Sequence, residues 1–405
     1  MRDTGGSQCR GTHIENMNET SLPKRVWILG AGFSRPLGGP LLADLLSDRA
    51  LHQIRLRYGA KGEELVEARP SRMVKWLYDL GNPKIEGRLL SGYEDWDKSS
   101  YPPDINIHRT WDNAEDFLVW LDDAANNRHG NATQEYQWIL TEATRLANRG
   151  PAELPTFLSP PKSNKLWWSE LPAKLTWRHA KLLLAAETSA FLYKHDTRLD
   201  LEKWFPIVNW IESLTCSDVI LSFNYDRVIE CADQQHARSE SNQQICVPTN
   251  KEFLNNAKGL MPLLLKLHGS ASWQLRDSNI VDTACLELSD GKFDTMIACP
   301  GQSKLDSTTG ALAFLWEPVA ATISEADEVW IIGYSFPRSD TYTKSTILGA
   351  IRDNPNDPKI NIIVGQSNPD AVRVREMLGL VVRSPTNIRV LEMWTEDYLA
   401  TIAFR

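Results

Sequence analysis

The stretch Val26-Trp27-Ile28-Leu29-Gly30-Ala31-Gly32-Phe33-Ser34 decides the fold. An apolar run rich in β-branched and aromatic residues ends in Gly-x-Gly, and a serine follows shortly after. A buried first strand commonly hands over to a phosphate-binding turn in this way. The glycines let the backbone turn tightly and approach a ligand without a Cβ in between. Leu41-Leu42-Ala43-Asp44-Leu45-Leu46 comes next, apolar and helix-favouring, with Pro40 suited to a first helical position. Strand, turn and helix together predict an anion site at a helix N-terminus. The fingerprint is incomplete, because Arg35 stands where the third glycine of Gly-x-Gly-x-x-Gly belongs. A tight strand-to-helix turn in any α/β protein is the competing reading.

The pattern that extends this strand into a sheet begins near residue 204. Short apolar runs at 218–223, 263–267, 296–299, 328–332, 359–364 and 387–391 alternate with helical segments at 225–237, 311–325, 340–352 and 369–379. Such alternation predicts a parallel sheet covered by helices. With the first strand far upstream, residues 21–405 read as one Rossmann-like, doubly wound α/β domain. A mostly helical insertion interrupts it at about 51–204.

Residues 41–58 and 134–148 read as helices, 59–110 as short helices and loops, and 150–171 as a Pro-rich linker. Asn113 is expected to cap a helix, with Glu115 and Asp116 at its positive end and Phe117, Trp120 and Leu121 on one face. Residues 172–195 read as a long helix with Leu175, Leu182, Leu183 and Ala186 on its apolar side.

Composition narrows the class. Hydrophobic residues make up 42% and charged residues 24% of the 405, which is ordinary for a soluble globular chain. The net charge is −8 and no run of Lys and Arg occurs, so nothing marks a nucleic-acid partner. No apolar stretch is long enough to span a membrane, and the N-terminus lacks the apolar segment of a signal peptide. Residues 1–20 are polar and expected to be disordered, with Met17 as the expected true start. Six scattered cysteines with no Cys-x-x-Cys argue for a reducing cytoplasm, without a structural zinc or a disulfide framework. Fifteen tryptophans, most of them before residue 211, suggest a bulky helical region and an interface.

Open parallel sheets bind ligands beyond the carboxyl ends of their strands. The residues just after each apolar run are therefore the place to search. They are Gly30 to Ser34, Asn224-Tyr225-Asp226, His268-Gly269-Ser270, Gly333-Tyr334-Ser335-Phe336 and Gly365-Gln366-Ser367-Asn368. Each of these strand ends delivers glycines, small hydroxyls, amides, a carboxylate or an imidazole. Histidine's ordinary pKa near ~6.5 suits His268 to general-base work. The alternatives are a core histidine, an N-cap role for Asn224, Asp226 or Asn368, and simple turns at Ser34 and Ser335. Glu115 and Asp116 read as a cap and solvated charge.

Four of these segments, Gly-Ala-Gly-Phe-Ser at 30–34, Ser-Phe-Asn-Tyr-Asp at 222–226, Lys-Leu-His-Gly-Ser at 266–270 and Gly-Tyr-Ser-Phe at 333–336, occur in the order of sirtuin-type NAD-binding domains. In detail the chain resembles the bacterial sirtuin-like proteins of antiviral defence. The insertion shows a faint likeness only at Asn113–Leu118. The resemblance implies that Gly30, Ala31, Gly32 and Ser34 hold the NAD pyrophosphate and that Gly333 and Ser335 meet the phosphates. Asn368 would then contact the adenosine ribose. Asn224 would place a water beside the nicotinamide ribose, Asp226 would contact the nicotinamide amide, and His268 would act on the ribose hydroxyls or the water.

Two departures matter. Deacetylases of this family carry a four-cysteine zinc module after the histidine, whereas only Cys285 and Cys299 lie between His268 and Gly333. No zinc is therefore expected. The family's Asp-Phe-Arg is also missing after Ser34. The implied activity is NAD hydrolysis to nicotinamide and ADP-ribose, with NAD as substrate. The implied enzyme stays inactive until triggered, through self-assembly into a homo-oligomer or through a separately encoded activating protein. A non-catalytic NAD- or ADP-ribose-binding subunit, or more remotely an NAD-dependent deacylase, is the alternative.

Overall fold

In the computed structural model, Arg25–Leu29 forms β1, at the middle of a six-stranded parallel sheet. The structure describes residues 23–80 (without 42 and 43), 111–149 (without 112, 129 and 130), 171–192, 201–283 (without 241–243), 294–299, 306 and 308–402 (without 338, 339 and 367–369). The other strands of this sheet are β2 (Val219–Ser222) and β3 (Leu263–Lys266) on one side of β1. Three later strands, Glu328–Ile332, Lys359–Val364 and Ile388–Glu392, lie on the other side in that order. Between the two groups the chain forms a separate antiparallel sheet, β4 (Gly269–Arg276), β5 (Asn279–Asp282) and β6 (Asp294–Ile297), in the order β5-β4-β6. The three later parallel strands are thus β7, β8 and β9, and the large sheet runs β3-β2-β1-β7-β8-β9. Every pair in it is parallel. The strand order reverses at β1 and β7, the switch point of a doubly wound sheet.

The apolar runs explain why both faces of this sheet are covered. Val26, Ile28, Leu221, Leu265, Ile331 and Ile362 enter one core. Trp27, Leu29, Ile220, Leu264, Ile332 and Ile363 enter the other. Successive side chains in a strand point to opposite faces, so a strand buried on both must be apolar without interruption. On the second face Trp27 stacks on Trp330 and meets Trp210 edge-on, each at 5.3 Å between ring centroids.

Between β1 and β2 every described regular element is helical. Five helices, α1 (Asp48–Glu67), α2 (Arg69–Leu80), α3 (Ala114–Asn126), α4 (Ala132–Arg149) and α5 (Ala173–Ala190), share a third core. Ala271 of β4 and Ile297 of β6 enter the same core, so the small sheet lies against the helices. Helix α6 (Leu201–Glu212) packs instead on the large sheet through Trp204, Ile207 and Trp210. Asn113 caps α3 as expected, its side chain accepting from the Glu115 and Asp116 amides.

Several expectations are corrected. The turn after β1 does not run into a helix at 41–58 with Pro40 in its first position. Ala31–Phe33 and Arg35–Leu37 are short 3-10 turns, Gly38 is left-handed at φ +94°, and α1 starts only at Asp48. The left-handed glycine ends the turn, and Ser47 supplies the side-chain cap, accepting from the Ala50 amide. Residues 59–80, read as short helices and loops, belong to α1, kinked at Gly59, and α2. The run at 296–299 is not a strand of the parallel sheet; its first two residues, Met296 and Ile297, end antiparallel β6. The helix expected at 311–325 is broken at Pro318 into Ala313–Trp316 and Val319–Ser324. Leu175 is exposed, while Trp177, Ala180, Leu183 and Leu184 form the buried side of α5. The tryptophans Trp76, Trp111, Trp120, Trp177, Trp204 and Trp210 are core residues and serve packing, while Trp96, Trp167 and Trp168 lie outside the described residues. The expected disordered N-terminus, the linker at 150–170 and Asn368 lie outside the described residues. No helix among the described residues is long and apolar enough to cross a membrane.

Glu187 of α5 is the least expected buried charge in this region. Both of its carboxylate oxygens accept from the Leu46 amide. Burial pushes its pKa from 4.5 up to about 8, against the pull of that amide and of Lys75. Above pH 4.5 the folded state thus keeps a proton that the unfolded chain has lost. Stability therefore falls as pH rises from 4.5 to about 8 and is level beyond. At pH 7 the cost is about 3 kcal/mol. Glu187→Gln is expected to remove it. Its denaturant midpoint should match the wild type near pH 4.5 and exceed it increasingly towards pH 8. Parallel curves for the two proteins across that range would disprove the assignment.

Candidate functional site

A cleft of about 180 Å³ opens at the switch point, beyond the carboxyl ends of β1, β2, β3 and β7. Gly30 and Ala31 line it from β1, Phe223 to Asp226 from β2, His268 from β3, and Gly333 to Ser335 from β7. Glu115 and Leu118 of α3 and Leu184 and Thr188 of α5 face it from the helical insertion, with Pro40 and Leu41 alongside. Four of the five expected strand ends thus meet in one place; Gly365 and Gln366 of the fifth do not line it, and Ser367 and Asn368 lie outside the described residues. The helices contribute an unexpected wall.

The glycines of the first turn also hold two strand ends together. The Gly30 amide donates to the Ile332 carbonyl and the Gly32 amide to the Gly333 carbonyl. The Phe33 and Ser34 amides bond back to Gly30 and Ala31. A Cβ on Gly30 would fall 2.5 Å from the Gly333 oxygen, and one on Gly32 would fall 2.7 Å from the Gly333 Cα. These glycines therefore let the β1 and β7 turns interlock. Gly32 and Ser34 do not line the cleft.

Ser34 is buried beneath it and donates its hydroxyl to Asp226 Oδ2 at 2.6 Å. Asn224 donates through its amide nitrogen to the Gly30 carbonyl (2.9 Å) and to Ser34 Oγ (3.2 Å). Both bonds use the nitrogen and fix the plane of the carboxamide, whose oxygen is a hydrogen-bond acceptor. Asp226 also accepts from the Val228 amide, opening the helix Val228–Glu240 (α7). The helix-cap reading of Asp226 is thus correct at the same time as its place in the cleft. Burial raises the Asp226 pKa, while the Lys266 charge, the Ser34 hydroxyl and the Val228 amide pull it down.

His268 is buried at the end of β3, with Phe223 edge-on to it at 5.0 Å and Trp316 at 6.3 Å. Just beyond, Gly269 takes φ +79° and passes so close to Met296 that no Cβ fits. That bend turns the chain out of the parallel sheet and into β4, leaving His268 at the corner. Phe223 stacks on Tyr334 at 4.5 Å, so aromatic rings form one side of the cleft. Tyr334 donates to Asp340 (3.0 Å) and Tyr225 to the Ala298 carbonyl (2.7 Å). Burial, then neighbouring negative charge that includes Asp340 and Glu115, lifts both tyrosines well above their ordinary pKa, so they stay protonated donors.

The charge of the cleft is its most telling property. Glu115, Asp226 and Asp340 line it, and all three are buried; no Lys or Arg is among the described lining residues. A carboxylate-rich cavity with aromatic walls favours a cation or a centre that becomes cationic.

No protein-family model matches this chain, and no curated protein does.

Glu115 is the functional candidate that sequence reasoning set aside. Its place in the first turn of a helix reads as solvated charge, yet it is buried and faces the cleft. The signal that could have found it was the likeness at Asn113–Leu118. Lys266 was also passed over, although it lies in the quoted Lys-Leu-His-Gly-Ser segment. Its ammonium, buried behind the cleft, donates to the Asp226 carbonyl oxygen and pairs with Glu230 at 3.2 Å.

Proposed function

We propose that the chain cleaves the nicotinamide–ribose bond of NAD. The observation that carries this reading is the meeting of Asn224 and His268 with buried carboxylates and aromatic rings at the switch point of a doubly wound sheet. Nicotinamide in NAD is a cationic pyridinium, and breaking its bond to C1′ leaves an oxocarbenium-like ribose. Glu115, Asp226 and Asp340 favour positive charge at both stages, in a cavity where such interactions are strong. The C1′–N bond breaks with its electron pair going to nicotinamide, which leaves neutral. Water held by the Asn224 carboxamide oxygen attacks C1′, and His268 takes its proton. The products are nicotinamide and ADP-ribose, with one proton released.

The size of the cleft supports an enzyme held at rest. At about 180 Å³ it is smaller than the roughly 300–1,000 Å³ usual for small-molecule sites. A resting enzyme is what the resemblance to sirtuin-like defence proteins implies, and antiviral NAD depletion is the role proposed for it.

The test is chromatography of products after incubation with NAD, for the chain alone and after co-expression with the proteins encoded beside it. His268→Ala is expected to lower turnover about 10²–10⁴-fold. Asn224→Ala is expected to lower it while NAD binding persists. Tight NAD binding with no product in either preparation would overturn catalysis and leave a binding subunit.

A further inference from the structure

A second cavity, of about 440 Å³, lies on the other side of the segment that walls the cleft. Pro40 lines both. One wall is a face of α1, where Arg49, Gln53 and Arg57 recur every four residues and so project together. Arg35 faces them from the turn after β1, and Leu37 and Phe191 supply apolar surface. Asp44 pairs with Arg35 at 2.9 Å. Glu187, with its raised pKa, is protonated at neutral pH and adds no opposing charge. Among the described lining residues three guanidiniums stand against one ionised carboxylate, the reverse of the acidic cleft.

Guanidiniums are the side chains best shaped for phosphate oxygens, which they bind through paired N–H donors. Flat apolar surface beside them suits a base, and the volume falls within the usual range for a small organic ligand. We propose that this cavity binds a phosphate-bearing nucleotide, with Arg49 and Arg57 on the phosphates and Phe191 and Leu37 against the base. The occupant would touch the same segment that walls the cleft. This inference does not depend on NAD cleavage.

Calorimetry with ATP and with inorganic pyrophosphate tests it on three full-length chains. These are the wild type, Arg49→Glu/Gln53→Glu, and Ala31→Glu at the mouth of the cleft. Arg49, Gln53 and Ala31 are exposed, so the variants are expected to fold, and their thermal midpoints check this. The wild type should bind one ATP per chain and pyrophosphate more weakly. The double variant should lose at least tenfold in affinity for both, and Ala31→Glu should bind like the wild type. Three results would each overturn the proposal: no ATP binding to the wild type, loss in Ala31→Glu but not in the double variant, or pyrophosphate binding as tightly as ATP. Loss of NAD cleavage in any chain bears on the cleft alone.

Discussion

Gly333→Ala is expected to destabilise the fold by more than about 4 kcal/mol, enough to remove most of the soluble protein. Gly333 sits at φ +62°, where an L residue is strained. Its added Cβ would lie 2.5 Å from three backbone atoms, the Gly32 Cα and carbonyl carbon and the Phe33 nitrogen. Backbone cannot swing aside as a long side chain can. The β1 and β7 turns would separate, breaking the bond from Gly32 to Gly333 at the middle of the sheet. Gly30→Ala meets a similar clash but without positive φ, and should cost less. Denaturant unfolding of the recovered protein, or soluble yield where too little survives, measures both. A Gly333→Ala midpoint close to the wild type would show that the turns are not locked as described.

The second large effect is expected at Lys266, which is only 1% exposed. It pairs with Glu230 and donates to the carbonyl of Asp226, so one ammonium holds a buried carboxylate and the backbone of a cleft residue. Lys266→Met keeps the length and removes the charge. It leaves Glu230 and Asp226 buried without that cation, a change that costs about 3–5 kcal/mol. Adding Glu230→Gln should recover part of the loss, because the stranded charge then disappears. Unfolding curves of the wild type, the two single variants and the double variant give the coupling directly. A Lys266→Met cost under about 1 kcal/mol, with no coupling, would mean that the pair contributes little.

Much of the site was legible because the rule that finds it is local. An apolar run followed by Gly, Asn, Asp, His or Ser marks a strand end. In an open parallel sheet those ends converge, so Gly30, Asn224, Asp226, His268 and Gly333 could be gathered without knowing the strand order. The antiparallel sheet was missed although β4 carries a period-two pattern, with Ala271, Trp273 and Leu275 alternating with Ser270, Ser272 and Gln274. Continuous apolar runs mark strands buried on both faces, and this alternating strand has none.

The sequence by itself determined the doubly wound parallel sheet and the residues at its edge. Burial on both faces writes itself into strand composition, and chain order carries the alternation of strand and helix. Only the tertiary structure decided what those residues touch. It set Gly32 against Gly333, Ser34 under Asp226, Lys266 behind the cleft and Glu115 within it. Each of these depends on elements far apart in the chain packing at particular distances, and a glycine or a carboxylate reads the same in sequence whether it faces a ligand, another backbone or water.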